Sequence, residues 1–125
     1  MQVGVDLVEV ARVSRLLDEN PGIDRSIFTE AELDYCRGTK HAGDRLAARF
    51  AAKEAILKAF GTGITDGLSP ADLEIVRSPG GRPTVRLLGA ARDWAAEHGL
   101  VEIEISLSHS GGMALAQAIA IFRPD

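Results

Sequence analysis

From Ala114 to Ile121 the chain alternates small and large side chains without a break. Ala114, Ala116, Ala118 and Ala120 take one parity, and Leu115, Gln117, Ile119 and Ile121 take the other. Alanine runs ordinarily favour helix, but a period of two gathers these alanines on one smooth face of a strand. A strand with one large and one small face belongs inside a sheet, with a helix packed closely on its small side. The matching helix is read at Arg45–Phe60. There Ala47, Ala51 and Ala55 form an equally smooth face beside a stripe of Leu46, Phe50, Leu57 and Phe60. Asp44 is the expected N-cap, and Gly61 the stop.

The other segments fit around this pair. Gln2 to Asp6 reads as a short strand, and Val8 to Glu19 as a helix with Val10, Val13, Leu16 and Leu17 on its apolar side and Arg12 and Arg15 opposite. Pro21-Gly22 ends it. Thr29-Glu30-Ala31-Glu32 supplies a capping box for a second, short helix, and Gly38 to Gly43 is a polar loop. Leu73–Arg77 and Thr84–Leu87 flank a Pro- and Gly-rich turn and predict a hairpin, followed by a helix over Ala90–His98. From Val101 to Ser108 the period is again two, and Ser110-Gly111-Gly112 predicts the turn into the alanine-faced strand. The expected class is α+β, with an antiparallel sheet packed on a long central helix.

With 125 residues the chain suits one domain, 1–125, with a single core. A formal net charge of -4 argues against a generic nucleic-acid binder, although Arg45, Arg49, Lys53 and Lys58 make one local basic segment suited to a small phosphorylated ligand. The lone cysteine, Cys36, excludes an intrachain disulfide and is read as structural. No apolar run reaches the roughly 18–20 residues of a membrane span, and the start does not resemble an export signal. A cytosolic location is therefore expected.

Asp6, at a strand end, and Glu54, on the inner half of the main helix, could hold Mg²⁺ against a pyrophosphate, because that ion keeps several waters and takes few protein ligands. Asp6 would equally serve as a helix N-cap, and Glu54 as an i,i+4 partner of Lys58. Lys58 could neutralise developing charge or move a proton. Arg45 and Arg49 could hold a terminal phosphate or could lie on an exposed helix face. His109 sits where a strand meets a turn, among Ser106, Ser108 and Ser110, and could face a phosphate. No zinc spacing or hydrolase elbow accompanies it. His41 and His98 are expected to be exposed, and Gly61-Thr62-Gly63 taken alone reads as a helix C-cap.

Several of these stretches, in this order, resemble the holo-acyl-carrier-protein synthase family of 4′-phosphopantetheinyl transferases. They are Gly4–Arg12, Phe28-Thr29 with Glu32-Leu33, Arg49–Ala55 continuing through Lys58–Ile64, Gly81-Arg82-Pro83, and Ser106–His109. The resemblance implies the phosphopantetheinyl transferase fold and Mg²⁺-dependent transfer of 4′-phosphopantetheine from coenzyme A to a carrier serine. Asp6 and Glu54 would be the metal ligands, and Glu54 and Lys58 the catalytic groups. Arg49, Lys58, Gly61, Thr62, Pro83 and His109 would surround the nucleotide, with Arg45 added on helical spacing. The resemblance also implies a homotrimer with active sites between subunits. Its partner would be an acyl carrier protein, or a carrier domain of a fatty-acid or polyketide synthase, met by Arg12 and, by spacing, Arg15. The first 34 residues hold three arginines against eight carboxylates, a weakly basic surface for that purpose. The competing class is a non-catalytic module that holds a nucleotide or an acidic partner.

Overall fold

A long helix, α4 (Ala42–Phe60), lies across a three-stranded antiparallel sheet in the computed structural model, which describes residues 1–61, 67–78 and 80–124. The sheet has the order β1 (Gln2–Glu9), β5 (Met113–Phe122), β4 (Leu100–Ser110), so the alanine-faced strand is central, as its two faces require. Ala114, Ala116, Ala118 and Ala120 of β5 and Ala47, Ala51, Ala52 and Ala55 of α4 are all 0% exposed. Small side chains on both surfaces bring backbone close to backbone. At Gly4 the approach is closest: a Cβ there would overlap the Ala55 carbonyl oxygen and stand 2.7 Å from the Ala59 nitrogen. Only glycine leaves room for the helix at that point.

The hairpin β4–β5 closes through Gly111-Gly112, with φ of 58° and 80°. Two positive values in succession suit a tight two-residue turn and are open to glycine without strain. A second hairpin joins β2 (Leu73–Arg77) to β3 (Pro83–Leu87), and helix α5 (Gly89–His98) follows it. Helices α1 (Val10–Glu19), α2 (Asp24–Ile27) and α3 (Glu30–Arg37) wrap the N-terminal half of α4. Ile27, Phe28, Leu33, Cys36 and Leu46 form a small core there. Cys36 is fully buried, and burial pushes its thiol up, away from reactivity.

The structure differs from the sequence expectation in several places. The first strand runs on to Glu9, because Leu7, Val8 and Glu9 pair with Leu115, Ala114 and Met113 of β5. Asp6 is therefore inside a strand and caps no helix. Helix α4 begins at Ala42 with His41 in the N-cap position, so Asp44 lies in its first turn, where a carboxylate suits the helix dipole. The short α2 and a 3₁₀ turn at Pro70–Asp72 have no counterpart in the expected pattern. The capping box at Thr29 and Glu32 is present as expected.

On the face of the sheet away from α4, β1 presents bare apolar side chains beside the polar Gln117, Ser106 and Glu104. Val3, Val5 and Leu7 of β1 are 51, 53 and 60% exposed, and Leu115, opposite Leu7, is 44% exposed. An exposed apolar strip of this kind marks a surface suited to a partner. Among the described residues no helix is long and apolar enough to cross a membrane.

Candidate active site

Asp6 shares its parity on β1 with Gly4, which packs under α4, so the carboxylate is turned toward that helix. Glu54 comes from α4 to the same cleft, about 510 Å³ in volume, whose walls also include Glu9, Arg12, Leu16 and Phe50. Burial pushes the Glu54 carboxyl above its usual range, the Asp6 charge adds to that shift, and Lys58 opposes it. The Lys58 ammonium is exposed and donates to Asp6 Oδ1 and to the Val5 carbonyl, both at 3.0 Å. The ion pair that forms is thus Lys58–Asp6, in place of the Glu54–Lys58 pair that i,i+4 spacing suggests.

The Glu54 carboxylate, its proton affinity raised by burial and by the Asp6 charge, makes with Asp6 a site of excess negative charge, which a divalent ion would relieve. Hard oxygen donors with open positions for water fit Mg²⁺. Among the described residues there is no group of three or more His, Cys, Asp or Glu side chains that could hold a metal. An ion at Asp6 and Glu54 would complete its shell with water and substrate oxygens.

Arg45 and Arg49 line a different cleft, about 350 Å³ in volume, together with Arg77, Pro83, Ser108 and His109. The reason is helical geometry: at about 100° per residue, Arg49 and Arg45 are rotated roughly 140° and 180° from Glu54. Sequence spacing suggests successive turns beside one phosphate, whereas the fold puts these groups on opposite sides of α4. Arg49 is only 5% exposed, which rules out an open helix face for it. His109 is exposed, with Nδ1 3.9 Å from Asp44 Oδ2.

The remaining candidates separate further. Gly61 caps α4 in the left-handed conformation, φ 75°, and borders a third cleft walled by Phe60, Trp94, His98 and Phe122. Thr62 lies outside the described residues. Arg12 is exposed at the carboxylate cleft, while Arg15 is exposed on α1 and does not line it. Lys53, grouped by sequence with the basic segment, is 1% exposed and bonded to Glu32, so it is not available to a ligand. His98 is exposed and stacks on Trp94, with ring centroids 4.1 Å apart.

Sequence reasoning missed Arg77 and Ser108 as walls of the arginine cleft. Arg77 ends β2 next to the hairpin turn, and its proximity to Arg49 depends on tertiary packing.

Comparison with known proteins identifies the family. Residues 2–118 match the family model described as the 4′-phosphopantetheinyl transferase superfamily. The chain is 46% identical over 117 residues to the holo-acyl-carrier-protein synthase of Geotalea daltonii, covering 93% of this chain and 94% of that protein. It is 46% identical over 120 residues to the synthase of Desulforudis audaxviator, covering 95% and 91%. The structure of the synthase from Neisseria meningitidis superposes with a TM-score of 0.88 at 31% identity, covering 96% of this chain and 97% of that one. The synthase from Helicobacter pylori, solved in complex with coenzyme A, gives 0.81 at 27% identity, covering 95% and 99%. The chain belongs to the 4′-phosphopantetheinyl transferase superfamily and is an enzyme of its holo-acyl-carrier-protein synthase branch.

Proposed function

We propose that this enzyme moves the 4′-phosphopantetheine arm of coenzyme A to a serine of an acyl carrier protein or carrier domain in the cytosol, with Mg²⁺ at Asp6 and Glu54. The observation that carries this reading is the meeting of two carboxylates in one cleft, one of them bonded to an exposed ammonium, with a separate arginine cleft across the same helix. When bound, Mg²⁺ would neutralise the pyrophosphate and orient it. Lys58, exposed and bonded among the described residues to Asp6 and Val5, would turn its ammonium toward the departing adenosine 3′,5′-bisphosphate. The serine Oγ–phosphorus bond forms, the bond to the nucleotide phosphate breaks, and the serine proton passes to Glu54 or to a water. The test is mass spectrometry of a carrier protein incubated with enzyme, coenzyme A and Mg²⁺. A gain of one phosphopantetheine on the serine is expected, and no gain on several unrelated carriers would sink the reading.

One coenzyme A must reach both a carboxylate cleft and an arginine cleft that face away from each other on a single chain. A second copy resolves this by placing its Arg45, Arg49 and His109 beside the first copy's Asp6, Glu54 and Lys58. The bare apolar strip of Val3, Val5, Leu7 and Leu115 is a surface on which copies could pack, in a closed trimer. Light scattering of the native protein is expected to give three chains. A 1:1 co-expression of Glu54→Gln with Arg45→Glu should recover about a quarter of native turnover, since random mixing leaves that share of sites intact. Recovery of none would mean that each chain uses its own groups.

For the carrier, Arg12 stands at the mouth of the carboxylate cleft, where an incoming acidic helix would pass. Arg12→Glu should raise the carrier KM and leave the coenzyme A KM unchanged. A partly exposed pair of this kind is worth roughly 0.5–2 kcal/mol, and the effect should shrink as salt rises. Arg15→Glu should do less, because Arg15 does not line the cleft. Unchanged carrier KM values at low salt for both variants would move docking to another surface.

A further inference from the structure

Arg45, Arg49 and Arg77 crowd around one aromatic ring, that of Tyr35 on α3. The Arg49 Cζ is 4.8 Å from the ring centroid, the Arg45 Cζ 5.6 Å and the Arg77 Cζ 6.0 Å. Arg45 also donates from Nη1 to the Tyr35 hydroxyl oxygen at 2.9 Å. Among the described residues none of the three guanidinium groups is ion-paired with a carboxylate. The nearby acids are engaged elsewhere: Glu32 with Lys53, Glu74 with Thr29 and Arg86, and Asp44 near His41 and His109. The buried Nε atoms of Arg45 and Arg49 also lack partners.

Three like charges gathered without counter-ions repel one another, and the neutral π-face of Tyr35 is the group that offsets this while no anion is bound. Tyr35 itself does not line the arginine cleft. It lies behind, in an adjoining cleft with Glu32, Arg49 and Arg77. A side chain so placed cannot reach a ligand in the front cleft, but it sets where two of that cleft's cations stand. Arginine side chains lose much rotamer freedom when they close on a phosphate, and a rigid ring that holds them beforehand lowers that cost.

We infer that Tyr35 is a positioning residue that holds Arg45 and Arg49, with Arg77 beside them, as a preformed receptor for a phosphate monoester dianion. The ligand chemistry rests on the function proposed above, under which the monoester is the 3′-phosphate of coenzyme A and Asp6 and Glu54 serve the pyrophosphate at the other end.

The experiment compares native enzyme, Tyr35→Phe and Tyr35→Leu by titration calorimetry with adenosine 3′,5′-bisphosphate and with 3′-dephospho-coenzyme A, which carries no phosphate monoester. Steady-state kinetics with coenzyme A and 3′-dephospho-coenzyme A run in parallel. Tyr35 is 38% exposed, so both variants should fold, and the phenylalanine variant keeps the ring if the leucine variant does not. The expected result is a loss of about five- to twentyfold in affinity for the bisphosphate with Tyr35→Leu, and a smaller loss with Tyr35→Phe. The KM for coenzyme A should rise in step at nearly constant kcat. Binding of 3′-dephospho-coenzyme A and its kcat/KM should be unchanged. Equal losses with and without the 3′-phosphate, or no loss with either, would overturn the role of Tyr35. If the native enzyme modifies no carrier and yet prefers the bisphosphate in a Tyr35-dependent way, the transfer reading fails and the receptor stands.

Discussion

Alanine in place of Asp6 or Glu54 is expected to lower turnover by about two to three orders of magnitude while leaving the protein folded. Both carboxylates are proposed to serve a ligand, and neither has a structural partner that the fold requires. Asp6 is bonded to Lys58, which is exposed, and Glu54 is pushed above its ordinary carboxyl value by burial and by Asp6. A raised carboxyl value has a definite sign for stability. The contribution of Glu54 is most favourable below its unfolded-state value and is lost as the pH rises through the higher folded-state value. At neutral pH without metal, Glu54→Gln should therefore unfold at the same temperature as the native protein or higher. The same proton competes with the cation, so Mg²⁺ affinity should fall as the pH is lowered toward the raised Glu54 value, with proton release on binding. Kinetics over a Mg²⁺ series, calorimetry in two buffers and thermal melts check these points. Near-native activity of either alanine variant at low Mg²⁺ would remove that residue from the metal site.

The two-residue period of β4 and β5 and the smooth face of α4 were legible because each is a local repeat, and the fold only had to bring matching faces together. The same holds for the capping box at Thr29 and the glycine turn at Gly111-Gly112. The end of β1 was not legible. Val8, Val10, Val13, Leu16 and Leu17 fit a helical period from Val8, and only pairing with β5 extends the strand to Glu9. Asp6, Glu54 and Lys58 were identifiable as chemistry by residue type and by family resemblance. Their geometry was partly hidden, since Lys58 crosses to β1 to reach Asp6 and does not pair along its own helix. The separation of Arg45 and Arg49 from Glu54 follows from helical rotation alone and was available from spacing. Lys53 gave no signal, because its partner, Glu32, lies far off in sequence and already serves the capping box.

That buried pair carries the largest expected effect on stability. Lys53 Nζ donates to Glu32 Oε1 at 2.7 Å, to the Leu73 carbonyl at 2.8 Å and to the Pro70 carbonyl at 2.9 Å, which uses all three of its protons. Glu32 in turn accepts from the backbone N–H groups of Thr29 and Ile75. One ion pair thus ties α3, α4, the 3₁₀ turn and β2 together, and it holds the strand whose last residue is Arg77 of the arginine cleft. Burial pulls the Lys53 ammonium below the usual lysine value despite the pull of Glu32 in the other direction. With both side chains 1% exposed, removing one leaves the other charged and out of reach of water. Lys53→Met should therefore cost about 3–5 kcal/mol. Glu32→Gln should cost less, since an amide oxygen can still accept from Lys53 or from a backbone N–H. Urea denaturation at one protein concentration reads both losses, and added salt should not alter them, because the pair is shielded from mobile ions. A Lys53→Met protein within about 1 kcal/mol of native stability would mean that the surrounding backbone closes on water and that the pair serves position more than stability.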